Sequence, residues 1–350
     1  MSTPTSTTAW VHKTTIKPTE KFIETLQKQD LPLPTLGPKD VLVRLHAASF
    51  NYRDILIPRD QYPFPVNWPL VPMSDGAGEI VAVGPQVKSF AAGDNVMTVF
   101  NQEHQAGRHS IVSATSGLGG ALHGVLREYA VFPEYGVMKS PKGWTHEQAA
   151  TLPCAAVTAW NALKDIKAGQ SVLVQGTGGV SLFALQFAKA MGAFVVATTS
   201  SKAKEEQVKA LGADVVINYN ETPKWGEVAK KASPRGEGID VVVEIGGTAT
   251  LQESFRAVRM EGTIAIIGYR AGPTKDGEKE PGWGEILGSI CQMRAIFVGS
   301  RAIAEEMVSA IEVAGLKPVV DPKTWTFDEA PQALDWFEQG RHVGKVVIKI

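Results

Sequence analysis

Cysteine is nearly missing from this 350-residue sequence, which holds only Cys154 and Cys291. Two thiols exclude a disulfide framework and a structural zinc site built on several cysteines. A surplus of charge is missing too: 35 Lys and Arg face 36 Asp and Glu, for a formal net charge of -1. That balance, without a basic block, argues against a protein of nucleic acids or membrane surfaces. No apolar run approaches the roughly 20 residues of a bilayer-spanning helix. The stretch Met1–Thr8 is rich in Ser, Thr and Pro, without the basic-then-apolar layout of a secretory signal. The expectation is a soluble, cytoplasmic protein with a small-molecule substrate.

What is abundant is glycine (34), proline (21) and hydrophobic residues (44%). At roughly 100–200 residues per domain, the length suggests two domains. From about Lys39 to Ser140, short apolar runs such as Val41-Leu42-Val43-Arg44-Leu45 and Ile80-Val81-Ala82-Val83 are punctuated closely by Gly and Pro. That pattern predicts many short strands, hence a β-rich, barrel-like unit. From about Ser171 to Ser300 strands alternate with helices, the signature of a parallel sheet covered on its faces. Strands are predicted at Ser171–Gln175, Phe194–Thr198, Asp214–Ile217, Ile239–Ile245, Thr263–Ile267 and Ala295–Val298. Helices are predicted at Leu182–Met191, at Ala203–Leu211 with Gly212 as its stop, and at Glu305–Ala314. The last segment, with Val346-Val347-Ile348, returns to strand character and is expected to rejoin the first unit. The domains are therefore drawn as 1–150 with 305–350, and 151–304.

One segment carries a specific chemistry. Val172-Leu173-Val174-Gln175-Gly176-Thr177-Gly178-Gly179-Val180-Ser181 reads strand, glycine turn, helix. Gly176 permits a tight turn, Gly178 lets the backbone approach a pyrophosphate, and the helix start offers free N–H groups to the anion. Ser181 stands where a third glycine is usual. About 20 residues on, an NAD site presents a carboxylate to the ribose hydroxyls. Here the strand end reads Thr198-Thr199-Ser200-Ser201-Lys202-Ala203-Lys204, with hydroxyls and ammonium groups suited to a 2′-phosphate. The cofactor expected is NADP(H). The plainer alternative is a helix-capping Ser followed by solvated lysines.

Several stretches together resemble the medium-chain dehydrogenase/reductase superfamily across essentially the full length. They are Asn51-Tyr52-Arg53-Asp54 with Tyr62 beyond it, Ser74-Asp75-Gly76-Ala77-Gly78-Glu79, and Val83-Gly84 through Gly93-Asp94. Ala149-Ala150 through Thr158-Ala159-Trp160, the glycine turn, Leu211-Gly212-Ala213-Asp214, Ile217-Asn218-Tyr219 and Gly344-Lys345-Val346-Val347-Ile348 complete the set. The sequence is most similar to the zinc-free, quinone oxidoreductase-like branch. That resemblance implies an α/β protein with a GroES-like β-barrel catalytic domain and a Rossmann doubly wound parallel sheet. It places the cofactor in the cleft between them. Dimerisation is common in the family, and the strand expected at Ala295–Val298 is the candidate for pairing across a two-fold axis.

The departures are informative. The family's zinc alcohol dehydrogenases hold their metal with a Cys in the first segment, a His-Glu pair, and a Cys four residues before the Thr matching Thr158. Here those positions are Asn51, Ser74-Asp75 and Cys154. A catalytic zinc takes about three N, S or O ligands from the protein, and this set falls short. The stretch Val99–Gly124 has no cysteine for a structural zinc. Its His104, His109 and His123, with Glu103, are read as part of a polar loop, so no metal is expected.

Without a Lewis acid to stabilise an alkoxide, hydride transfer suits an acceptor that is already electrophilic, such as a quinone or an activated enone. The candidate catalytic residues are Asn51, donating to the acceptor oxygen or the cofactor ribose, and Tyr62, bonding the acceptor or supplying a proton through water. Arg53 and Asp54 are expected to pair and fix the loop. For the cofactor, Asn51 is a candidate at the ribose and Gly176 at the tight turn, while the resemblance implies Thr158 on the nicotinamide side and Gly178, Gly179 and Val180 at the pyrophosphate. It assigns Ser200 and Lys204 to the 2′-phosphate, Tyr219 to the adenosine end, and Gly246 and Ile267 to the nicotinamide ribose. Ser300 is assigned to a segment passing the nicotinamide, and Lys345 to a position near the cofactor. For Lys345 the alternative is a charged residue on an exposed strand. The rival functions are a metal-free alcohol or aldehyde dehydrogenase or reductase, and an NADPH-binding sensor without turnover. The loops Phe100–Gly124 and Ala271–Gly284 carry no readable substrate code.

Overall fold

The two changes of sequence pattern become two units in the computed structural model, which describes residues 3–272 and 280–350. The first unit is Met1–Val157 with Gly299–Ile350, and the second is Thr158–Val298. The divisions thus fall after Val157 and Val298, where the sequence patterns suggested 150 and 304. Part of the loop Ala271–Gly284 lies outside the described residues.

In the first unit, β1 (Ser6–Val11) and β2 (Gln27–Pro32) form an antiparallel ladder. The long strand β3 (Asp40–Ser49) organises the main sheet, because Val41, Leu42, Val43 and Leu45 are all buried. It pairs antiparallel with β4 (Asp75–Val83) and β6 (Tyr129–Pro133), while β5 (Asn95–Thr98) joins β4 to β7 (Val137–Lys139). Gly78 on β4 is required by contact. A Cβ there would sit 1.9 Å from the Arg44 carbonyl oxygen. Between β3 and β4 lies the one-turn helix α1 (Arg53–Leu56), buried at every position. Helix α2 (Val157–Ala162) then leads into the second unit.

The second unit alternates as its sequence predicts. Strands β8 (Ser171–Gln175), β9 (Phe194–Thr199), β10 (Val215–Asn218), β11 (Ile239–Glu244), β12 (Val258–Ile266) and β13 (Gln292–Ala295) form a parallel sheet. Its order is β10-β9-β8-β11-β12-β13, the doubly wound arrangement whose chain reversal falls at β8 and β11. The helices between are α3 (Gly179–Ala190), α4 (Lys202–Ala210), α5 (Trp225–Ala232), α6 (Thr248–Ala257) and α7 (Trp283–Ser289). Helix α4 gives way to Gly212 at φ +104°, a left-handed exit that favours glycine. One strand is misplaced by the sequence reading. The sixth strand is Gln292–Ala295, not Ala295–Val298, since Val298 sits at φ +52°, outside any strand conformation.

The chain then adds α8 (Arg301–Ala314), β14 (Trp325–Thr326), α9 (Ala330–Glu338) and β15 (Val347–Lys349). Strand β15 pairs antiparallel with β3, Ile348 opposite Ala48. Trp325, Leu334, Phe337, Val346 and Ile348 thereby enter the same core as Val41, Leu45 and Phe50. Among the described residues no helix is long and apolar enough to cross a membrane.

Candidate active site

In the second unit the expected cofactor residues gather at one edge. Because the strands are parallel, their carboxyl ends line up there. Gly176 follows β8 at φ +69°, and its N–H is held by the Thr198 carbonyl of β9 at 2.8 Å. A Cβ on Gly178 would meet no atom within 4 Å, so the backbone before α3 lies open to a ligand. Gly179 and Val180 form the first turn of α3. Ser181, in the place of a third glycine, is fully buried and donates its hydroxyl to the Gln175 carbonyl at 2.6 Å. The serine thus ties helix to strand where glycine would only let them approach.

Ser200 is exposed just beyond β9, and Lys204 follows on the first turn of α4. Asn220 donates to the Ser200 carbonyl at 2.8 Å, and the Tyr219 N–H to the Thr199 carbonyl at 3.0 Å. Those bonds bring the ends of β9 and β10 together beside the Tyr219 ring, which is 39% exposed. Gly246 ends β11's exit, and Ile267, next to the end of β12, packs with Ala162, Ala265 and Ile296. Thr158 is instead buried on α2. Ser300 lies in the first unit, where its hydroxyl caps α8 by accepting from the Ile303 N–H at 3.3 Å.

A buried network at the same edge escaped the sequence reading. Glu244, fully buried at the end of β11, accepts from Gln175 Nε2 at 2.7 Å and Thr250 Oγ1 at 2.6 Å. The N–H groups of Gly246 and Gly247 reach it at 2.8 and 3.0 Å, and the Ser254 hydroxyl also donates to it. Five donors satisfy the carboxylate without a cation. Gln175 Oε1 in turn accepts from the Ile245 and Gly246 N–H groups at 3.1 and 3.2 Å. The network locks the β8 and β11 exits, the two strands at the reversal. Gln175 and Glu244 are 69 residues apart, so no local motif announces them.

In the first unit the end of β3 and the start of α1 build a second cluster. The Asn51 N–H donates to Asp54 Oδ2 at 2.8 Å, which fixes the turn. Asn51 Oδ1 accepts from Lys345 Nζ at 2.6 Å, and Asn51 Nδ2 lies 3.5 Å from Ser74 Oγ. Ser74 donates to Asp75 Oδ1 at 2.6 Å, while Asp75 Oδ2 takes the Cys154 N–H at 3.2 Å. Lys345 Nζ also donates to the Phe50 carbonyl at 2.6 Å and faces Asp75 Oδ2 at 3.5 Å. Lys345 is therefore no surface lysine; its side chain is 3% exposed.

Tyr62 joins the cluster through Arg53. The Arg53 guanidinium lies between the Tyr62 and Phe100 rings, 4.8 Å from each centroid, and donates to Tyr62 Oη at 3.2 Å and the Leu118 carbonyl at 2.7 Å. The expected Arg53–Asp54 pair is loose, at 4.0 Å. Burial raises the Tyr62 pKa against the pull of Arg53, so its hydroxyl stays a proton donor at neutral pH. Burial pushes Asp54 up to about 6, opposed by Arg53, and with Asp75 it pushes the Cys154 thiol up to about 12. Cys154 is thus a neutral thiol, unsuited to nucleophilic attack. The structure brings Asn51, Lys345 and, through Arg53, Tyr62 into one group.

The fold and these two groups of residues define a nicotinamide-dependent oxidoreductase, and the chain belongs to the medium-chain dehydrogenase/reductase superfamily. Residues 37–142 match the alcohol dehydrogenase GroES-like domain, and residues 179–313 match the zinc-binding dehydrogenase family. A zinc-type alcohol dehydrogenase-like protein of Schizosaccharomyces pombe is 43% identical over 331 residues, 93% of this chain and 95% of that protein. The solved structure of an NAD-dependent alcohol dehydrogenase is 32% identical, with a TM-score of 0.85 over 98% of this chain and 99% of its own. The acryloyl-coenzyme A reductase of Sulfurisphaera tokodaii is 28% identical over 92% of this chain and 95% of that protein.

The zinc in the matched family's description does not fit this donor set. Asn51 offers an amide, Ser74 a hydroxyl already bonded to Asp75, and Asp75 faces the ammonium of Lys345. A buried cation already answers the one carboxylate that a metal would use. In the Val99–Gly124 loop, the His104 and His109 rings approach to 3.7 Å, but His104 Nε2 bonds the Gly107 carbonyl and His123 Nδ1 accepts from the Val71 N–H. Among the described residues no three His, Cys, Asp or Glu side chains are placed to hold a metal ion.

Proposed function

We propose that the chain is an NADPH-dependent reductase of quinones or activated enones that works without zinc. The observation that carries this reading is the pair Asn51 and Asp75, at positions where the resemblance implies metal ligands, with the Lys345 ammonium held between them and hydrogen-bond donors offered instead. Such donors suffice when the acceptor's negative charge is delocalised, as in a quinone or enone, and are poor replacements for a Lewis acid in alcohol oxidation. The similarity to an acryloyl-coenzyme A reductase supports the enone arm. Bound NADPH supplies the hydride and becomes NADP+. Asn51 Nδ2 and the Tyr62 hydroxyl hold the acceptor oxygen as charge grows on it, and a proton from solvent, passed through water by Tyr62, completes the reduction. The open turn Gly176–Val180 seats the pyrophosphate, and Ser200 with Lys204 receives the 2′-phosphate, in keeping with the absence of any carboxylate between Phe194 and Lys204.

The test is to follow absorbance at 340 nm with purified protein, an ortho-quinone or 2-cyclohexen-1-one, and excess EDTA, using NADPH and then NADH. Faster oxidation of NADPH that EDTA leaves intact is the expected result. A preference for NADH overturns the cofactor assignment, and loss of activity in EDTA overturns the zinc-free one. No turnover with any acceptor shifts the reading to an alcohol substrate or to a cofactor-binding protein without turnover.

We also infer a homodimer formed through β13. Among the described residues this strand has no neighbour on its outer side, and α7 leaves Trp283 and Leu287 87% and 80% exposed. Sedimentation equilibrium at twice the monomer mass is expected for the native chain, with Leu287→Arg shifting it toward monomer.

A further inference from the structure

Lys345 has a use that its place in the sequence does not suggest. An ammonium carries donors only, so the Asn51 atom 2.6 Å from Lys345 Nζ is the carbonyl oxygen, and the amide orientation is fixed. The ammonium is itself held on three sides, by the Phe50 carbonyl, Asn51 Oδ1 and Asp75. With the oxygen turned toward Lys345, Asn51 is left with its two N–H donors on the other side. Among the described residues the partner they reach is Ser74 Oγ at 3.5 Å, whose own proton is committed to Asp75. An amide whose oxygen receives a charged hydrogen bond is a better donor at its nitrogen, because hydrogen bonds in a chain polarise one another.

We propose that Lys345 is a positioning residue that locks the Asn51 amide with its N–H groups presented, so that the site accepts oxygen atoms bearing lone pairs and passes part of the lysine's charge to them. The proposal deepens the reductase reading and rests on it. It makes Lys345 a functional replacement for the metal's polarising role, transmitted through an amide. It also makes the site selective for the oxygen of a carbonyl or quinone over an acceptor that must itself donate.

The experiment measures kcat and KM for 2-cyclohexen-1-one, and NADPH Kd by fluorescence, in wild type, Asn51→Ala, Lys345→Met and the double variant. Loss of a preorganised oxyanion donor costs about 100-fold in kcat, the result expected for Asn51→Ala. Lys345→Met is expected to lose about tenfold in kcat with NADPH Kd nearly unchanged, and to lose nothing further in the Asn51→Ala background. The infrared carbonyl stretch of 2-cyclohexen-1-one bound with NADP+ should lie at lower frequency in wild type and move back in both single variants. If the two losses multiply, or the stretch ignores Lys345, the lysine acts on its own and the proposal is overturned. Should Lys345→Met not fold, Asn51→Asp decides, since it keeps the oxygen facing Lys345 and removes the donors. Its turnover should collapse while NADPH still binds, and retained turnover overturns the proposal. A wild type inert to every carbonyl acceptor overturns the reductase reading and this inference together, whereas an active wild type with multiplying losses overturns the inference alone.

Discussion

Glu244 in the second unit and Asp54 in the first are both buried carboxyl groups, and their surroundings differ sharply. Glu244 meets five donors, three from side chains and two from backbone N–H groups. Asp54 satisfies one oxygen with the Asn51 N–H, while Oδ1 has no hydrogen-bond partner and lies 4.0 Å from Arg53. The contrast extends beyond these two residues. Buried side-chain atoms without partners include Ser49 Oγ, the Asn101 amide, His104 Nδ1 and Ser140 Oγ, and among the described residues all such atoms fall in the first unit. Buried polar groups are almost always bonded, and exceptions concentrate where a protein keeps capacity for chemistry. The parallel sheet is a saturated frame that offers backbone to a cofactor. The first unit keeps its polar residues incompletely answered, and two of them, Ser49 and Asp54, flank Asn51.

The largest effect should come from breaking the saturated frame. Glu244→Leu removes the shared acceptor of Gln175, Thr250, Ser254 and two N–H groups, leaving the Gly247 N–H and the Ser254 hydroxyl with no other acceptor among the described residues, and should cost about 3–5 kcal/mol in urea unfolding. A loss under about 1 kcal/mol would mean that the network is not what holds the β8 and β11 exits together. Next is the pH response of Asp54. Its folded pKa of about 6 lies above the ordinary 3.8, so the folded state holds the proton more tightly. Stability from this group is therefore full below about pH 4 and falls as pH rises to about 6, by roughly 3 kcal/mol at most. His12, lowered by burial to about 4, has the opposite slope, losing stability as pH falls below 6.5. The measurement is accordingly the stability of wild type minus that of Asp54→Asn, which should fall as pH rises through that window because the amide does not titrate; parallel curves would refute it. The smallest effect is Ser181→Ala, expected to lower stability by about 1 kcal/mol through the lost bond to Gln175. An unchanged midpoint would show that the serine merely fills space.

What the sequence discloses follows the range of the forces involved. Strands β8 and β9 are legible because Val172–Val174 and Val195–Val196 are apolar, valine-rich runs buried on both faces, and the glycine turn because Gly176 needs its positive φ. The helices Trp225–Ala232 and Thr248–Ala257 went unread, their polar faces masking the few residues, such as Trp225 and Phe255, that reach the core. The sixth strand was misplaced because Ile296, Phe297 and Val298 look like strand but form the exit from it. In the site, Asn51 and Tyr62 stood out through family motifs. The links Lys345–Asn51 and Gln175–Glu244 span 294 and 69 residues, and only the folded chain brings those pairs together.

That first separation has a consequence in time. A ribosome adding roughly 5–20 residues per second needs about 15 to 60 seconds between Asn51 and Lys345. The second unit is continuous from Thr158 to Val298 and can fold during that interval. The first must wait for β15 to close on β3 before Lys345 reaches Asn51. During synthesis the molecule thus passes through a form that has its nucleotide frame but no finished reaction centre. The arrival of Lys345 and β15 is what completes the Asn51 cluster.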